Sequence, residues 1–170
     1  MVDDALGGGV GPSLGGFVLF VQDVMAPPAP FDPTTSNYVP YAYNYAVQAA
    51  NNNLQFVTGQ PGAWNIYALS VYNLAADFLI QITQDPPGAP VVAMSEPPMP
   101  YWQWLRKQYG ISSVSLGIVQ STGDNGTSTS LLLPQQFASF TLANMMQAKT
   151  PYGRQYLAMA GSWGSLWGMD

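Results

Sequence analysis

Only 8% of the residues in this 170-residue chain are charged: nine acids and four cations. A typical domain carries about 25%. A chain of this length has enough residues for one domain with a real core, and the rest must face something polar. Here that cover has to come from Asn, Gln, Ser, Thr and Tyr, because hydrophobic residues hold an ordinary 48%. Protein interfaces are depleted in Lys, Glu and Asp and enriched in aromatics and Met. The composition therefore points to a subunit with much of its surface against partners. The competing reading is a monomer with an unusually neutral surface.

The net charge is −5, and the cations Arg106, Lys107, Lys149 and Arg154 are scattered. Four scattered cations cannot neutralise a phosphate track, which excludes sequence-specific nucleic-acid binding by a monomer. An acidic surface lining a channel would instead let DNA pass without binding it. The chain has no cysteine, hence no disulfide framework and no thiolate chemistry. It has no histidine, the commonest general base and metal ligand. The opening "MVDDALGGGVGPSLGG" lacks a basic segment and does not read as a secretory signal. The apolar stretch "FVLFVQDVM" is far too short to cross a bilayer, so no membrane association is expected.

Glycine and proline punctuate the chain into segments. Residues 1–36 read as a Gly/Pro-rich N-terminal arm around one short apolar run, Phe17–Val21, taken as a strand or arm segment. "APPAPFDP" after it is extended by the restraints of proline. Phe17, Leu19 and Phe20 are the expected arm contacts to a neighbour. A helical domain is expected over 37–160. Its first helix starts at Ser36 or Asn37, with Pro40 in the first turn and Tyr38, Ala42, Tyr45, Ala46 and Ala49 on one face. The second, from about Ala63 to Thr83, alternates a polar stripe (Ser70, Asn73, Asp77, Gln81, Gln84) with an apolar one (Tyr67, Val71, Leu74, Ala75, Phe78, Ile82). "DPPG" stops it, and residues 86–100 read as a surface loop or docking insertion. "YWQWLRKQYG" is a short helix ended by Gly110, with Arg106 and Lys107 near its negative end. Alternation at Val114, Leu116 and Ile118, the turn "GDNG" and Leu131–Leu133 suggest a β-hairpin over about 112–133. Two short helices follow, capped by Thr141 and by Thr150 with Pro151 in its first position. Residues 161–170 form a Trp-rich tail. The expected fold is mainly α, a bundle of four to five helices with a β-hairpin and extended N- and C-terminal arms.

Chemical motifs are weak. "GGGVGPSLGG" has no phosphate-loop lysine and no preceding strand. "STGDNG" lacks the spaced carboxylates and closing Glu of a calcium loop and reads as a turn. Asp77 and Glu96 could each act as a base, but neither has an obvious partner, and no histidine is present to activate a nucleophile. No catalytic residue, metal ligand or cofactor is therefore expected. Trp102/Trp104 and Trp163/Trp167 could stack on bases or sugars, but such residues are more often core or interface anchors.

Three stretches, in order, resemble one family. "YALSVYNLAADFLI" is similar to its long Tyr/Leu/Ala helix, "GIVQSTGDNGTSTSL" to its Gly-x-Val-x-Ser … Gly-x-x-Ser hairpin, and "TPYGRQYLAM" to its Thr-x-Tyr-Gly-x-x-Tyr-Leu segment. The family is that of the small bacteriophage head-to-tail adaptor (connector or neck) proteins, and the resemblance runs from about Phe31 to Gly164. It implies a structural virion protein and not an enzyme. Such subunits form a homo-oligomeric ring, typically of twelve, beneath the portal protein in the neck between capsid and tail, after assembly in the host cytoplasm. The ring extends the DNA channel and docks tail or nozzle proteins. On this reading Tyr152, Arg154, Tyr156, Trp163, Leu166 and Trp167 contact the portal or a neighbouring subunit. The glycine-rich arm, the Pro-rich insertion and the Trp-rich tail depart from the family pattern. Alternatives are another virion component (tail completion, tube-end or capsid decoration protein) or a monomeric binding module with an aromatic surface.

Overall fold

Helix α3, Ile66–Ile82, is buried over nearly its whole circumference. The computed structural model describes residues 11–50, 66–92, 97–111, 121–124, 127–130 and 142–162. Around α3 the described chain is mainly helical. It comprises α1 (Leu14–Phe20, continued by a π-helical turn, Val21–Met25), α2 (Tyr38–Ala49), α4 (Tyr101–Gln108), α5 (Leu142–Gln147) and α6 (Pro151–Ser162). Helices α2 and α6 pack on α3, α4 also meets it, and α1 lies on α2. Of the polar stripe, Ser70, Asn73 and Asp77 are buried, Gln81 is half-buried and Gln84 is exposed. A helix apolar on one side and weakly polar on the other can be enclosed if most of its polar groups are bonded, and of the buried side-chain atoms of Ser70, Asn73 and Asp77 only Asn73 Oδ1 lacks a partner. Ser70 Oγ donates to the Tyr67 carbonyl (2.8 Å) and Asn73 Nδ2 to the Leu69 carbonyl (2.8 Å), so both side chains turn back onto their own helix.

The N-terminal segment overturns an expectation. Phe17–Val21 is neither a strand nor an arm, but part of α1 and the turn that continues it, and Phe17, Phe20, Val21 and Met25 are buried in the core. Their spacing is helical, i, i+3, i+4 and i+8. Ser13 caps the helix, its Oγ accepting from the Gly16 amide at 3.1 Å. Two tyrosines tie it down: Tyr72 Oη accepts from the Ser13 amide (3.1 Å) and Tyr43 Oη donates to the Pro12 carbonyl (2.7 Å). A β-carbon at Gly16 would strike the Tyr72 hydroxyl, so this glycine serves close packing rather than flexibility. The N-terminal helix also brings the described α-helices to six, against the four to five expected.

The inner stripe of α2 is Val39, Ala42 and Ala46, rotated from the expected face, with Tyr41 and Tyr45 left exposed. At α4 the expected stop holds. Gly110 adopts φ +64°, its amide bonds to Lys107 O and the Ile111 amide to Arg106 O, closing a Schellman motif. Two four-residue strands, β1 (Ser121–Asp124) and β2 (Thr127–Ser130), pair antiparallel with Ser121 opposite Ser130. This short ladder does not establish the longer hairpin expected over 112–133. Its remaining positions lie outside the described residues, as do Thr141 and the tail 163–170.

Glycine is needed at Gly153, inside α6, where a β-carbon would overlap the Gln147 carbonyl of α5. Gly→Ala in a helix interior ordinarily stabilises by about 1 kcal/mol. Here the sign reverses. Gly153→Ala lowers stability by about 2 kcal/mol or more, because backbone rather than a flexible side chain has to move. Urea unfolding midpoints of the two proteins check this.

Candidate functional site

The most distinctive group in the described chain is the Asp77 carboxyl, 1% exposed in the middle of α3. Thr150 Oγ donates to its Oδ1 at 2.5 Å and Gln81 Nε2 to its Oδ2 at 2.8 Å. Thr150 Oγ also accepts from the Gly153 amide at 2.8 Å, so it is the N-cap expected for α6. One hydroxyl thus joins the start of α6 to the centre of α3. Burial pushes the Asp77 carboxyl up to about 7, and the bonds from Thr150 and Gln81 offset part of that rise. The sequence offered Asp77 only as a possible base without an obvious partner; its burial follows from the enclosure of α3.

Asp77 forms the floor of a groove of about 340 Å³ between α2, α3 and α5. Leu74, Phe78 and Met146 line it, and Gln81 flanks the carboxylate. Tyr45 stacks on Phe78 with centroids 4.1 Å apart, and Tyr41 stands over the same ring at 6.0 Å. Tyr41 is 63% and Tyr45 42% exposed, so the rim is an open aromatic surface.

A second concavity, a cleft of about 320 Å³, lies between the segment Pro28–Phe31 and the loop Pro86–Val92, with Trp102 and Trp104 in its wall. Trp102 is a core residue, its ring edge-on to Phe31 at 4.9 Å. Asp85 fixes this wall by capping α4 from a distance: Oδ1 accepts from the Trp102 amide and Oδ2 from the Gln103 amide, both at 3.0 Å. Arg106 returns to the end of α3, donating from Nη1 to the Ile80 carbonyl (3.1 Å) and the Thr83 carbonyl (2.5 Å). The described part of segment 86–100, expected as a surface loop or docking insertion, is anchored by the Val92 amide bonded to Met99 O at 2.9 Å.

The residues expected at interfaces separate. Tyr156 is buried in the chain's own core. Tyr152 packs edge-on to Phe20 at 6.2 Å, and burial raises its phenol to about 12, with the Tyr109 and Tyr101 phenols adding to the rise. Phe17 and Phe20 are core residues and Leu19 is half-buried, so the expected arm contacts are corrected: the aromatic rings hold α1 onto the bundle. Arg154 is exposed, its guanidinium 3.4 Å from the Ala148 and Lys149 carbonyls. Trp163, Leu166 and Trp167 lie outside the described residues. What the sequence reading missed is the junction of Asp77 with Thr150; a single acid on a helix beside two small polar residues was the available signal. Among the described residues no group of three or more Asp, Glu, Cys or His side chains is placed to hold a metal, and no helix is long and apolar enough to cross a membrane. No protein family, curated protein or solved structure matches the chain.

The raised carboxyl sets a pH dependence. An unfolded Asp ionises near 3.8 and the folded one near 7, so the native state binds the extra proton between them. Asp77 therefore contributes stability that is fully present below the unfolded value and declines as pH rises toward 7, by an amount on the order of 4 kcal/mol. Asp77→Asn is expected to flatten this slope and to be the more stable protein above neutrality. Denaturant melts at a series of pH values measure both.

Proposed function

We propose that this chain is a structural subunit of a bacteriophage neck, a head-to-tail adaptor that assembles into a ring beneath the portal. The observation that carries the reading is where the scarce charge goes. Arg106, Lys149 and Arg154 each point at backbone carbonyls: of Ile80 and Thr83, of Gly110, and of Ala148 and Lys149. These three cations serve helix ends, where carbonyls lack partners, although Arg154 does so from an exposed position. The outside keeps few charges, with Asp23, Asp32, Lys107 and Arg154 exposed among the described residues, and is apolar at Tyr41, Tyr45, Val91 and Met145. A surface of that kind suits a subunit flanked by copies of itself in a closed, head-to-tail ring. The resemblance adds to this. Two of its three stretches are α3 and the start of α6, the helices joined through Asp77 and Thr150.

In this reading the tail beyond Ser162 supplies the contact to the portal or an adjacent subunit. A ring lumen of mild acidity lets DNA slide, and tail or nozzle proteins dock below. The Pro/Trp cleft favours a second reading, a binding module that holds an extended apolar peptide in an aromatic-lined slot.

Mass measurement of the purified protein, alone and mixed with portal rings, separates the two. The adaptor reading predicts binding to portal at fixed stoichiometry, and its loss on deleting residues 163–170 while the helical circular dichroism stays unchanged. A monomer indifferent to portal would remove the adaptor reading and leave the binding module.

A further inference from the structure

We infer that the groove between α2, α3 and α5 is a socket for an arginine side chain of a partner protein, whose guanidinium meets the Asp77 carboxylate. The inference concerns this groove alone and does not rest on the neck assignment. Its starting point is a carboxyl with no cation beside it. Asp77 is the only carboxylate among the described residues lining the groove, and no described cation lines it. The cations next along the chain from Thr150 are engaged elsewhere, Lys149 on the Gly110 carbonyl and Arg154 on the Ala148 and Lys149 carbonyls. A carboxylate accepts about four hydrogen bonds, and Asp77 receives two from side chains, one on each oxygen. One lone pair on each oxygen remains, the pattern that a guanidinium satisfies with two parallel N–H donors.

The walls fit the rest of such a side chain. Leu74 and Met146 offer apolar surface to its methylene stem. The stacked rings of Tyr45 and Phe78 offer a π face to the planar head, which favours arginine over the more strongly hydrated ammonium of lysine. Gln81, half-buried, covers Oδ2 and is the side chain that has to swing aside. A second copy of this chain is a poor source, since Arg106 and Arg154, its only arginines, already bond carbonyls. The partner is therefore a different protein, with an arginine on a protruding loop or helix.

The test titrates n-butylguanidinium into the full chain, with n-butylammonium as a parallel arm. The Met146 methyl resonance and the pH titration of the Asp77 carboxyl carbon are followed by NMR. A ligand this small gives millimolar affinity. The expected result is a saturable shift of Met146 and a fall of about half a unit or more in the Asp77 midpoint, because an adjacent cation favours the ionised form. The ammonium arm should be weaker. Asp77→Asn should reduce the Met146 response at least about fivefold, and Tyr45→Ala, at the exposed rim, should weaken it without affecting the fold. No Met146 shift, or an equal shift in Asp77→Asn, would overturn the socket. An ammonium response as large as the guanidinium one would overturn the assignment to arginine.

Discussion

The hydrogen bond from Thr150 to Asp77 joins the start of α6 to the centre of α3. The pair is separated by 73 positions in sequence, yet it fixes where α6 begins and how it lies on α3. The same hydroxyl caps α6 through the Gly153 amide, and Gly153 allows α6 to start hard against the end of α5. Burying a carboxyl at the centre of a bundle is costly unless it is protonated or well bonded. Here it is bonded twice and its ionisation is pushed to about 7, so near neutrality the site sits between two protonation states. Such an arrangement costs stability relative to an apolar core, but it specifies one register of α6 on α3, which leucine and alanine contacts alone would not.

The second organising constraint is the scarcity of charge. Helix ends leave carbonyls without partners, and the chain spends Arg106, Lys149 and Arg154 on such groups. Asp85 meets the complementary need at the start of α4 and lies 4.0 Å from Arg106, so one short stretch after α3 finishes one helix and starts another. Few charges then remain to cover the outside, which connects helix termination to a sparsely charged, partly aromatic surface and from there to the proposed assembly role.

Much of the helical scaffold could be read from residue order. The span of α3, the Thr150–Pro151 start of α6 and the Gly110 stop of α4 are local signals of cap, periodicity and positive φ. The misreadings share a cause: tertiary context. Glycines around Phe17–Val21 suggested a flexible arm, although Phe17, Phe20 and Val21 already stood at helical spacing. Gly16 is small because Tyr72 approaches it, a fact that resides 56 positions away. The polar stripe of α3 gives no sign of its enclosure, because sequence cannot show that α6 and Thr150 arrive over Asp77. Asp85 capping α4 across 17 positions is invisible for the same reason. In the candidate site, Asp77 was noticed as a lone acid, but its partners and the groove above it depend on α2 and α5 meeting α3.

The most direct test of this account is a double-mutant cycle between Asp77→Ala and Thr150→Val, read by denaturant unfolding at neutral pH. The account predicts that the two losses are not additive, with a coupling of about 1 kcal/mol or more between the sites. Losses that add within about 0.5 kcal/mol would contradict it, and would mean that α6 is held on α3 by apolar packing alone.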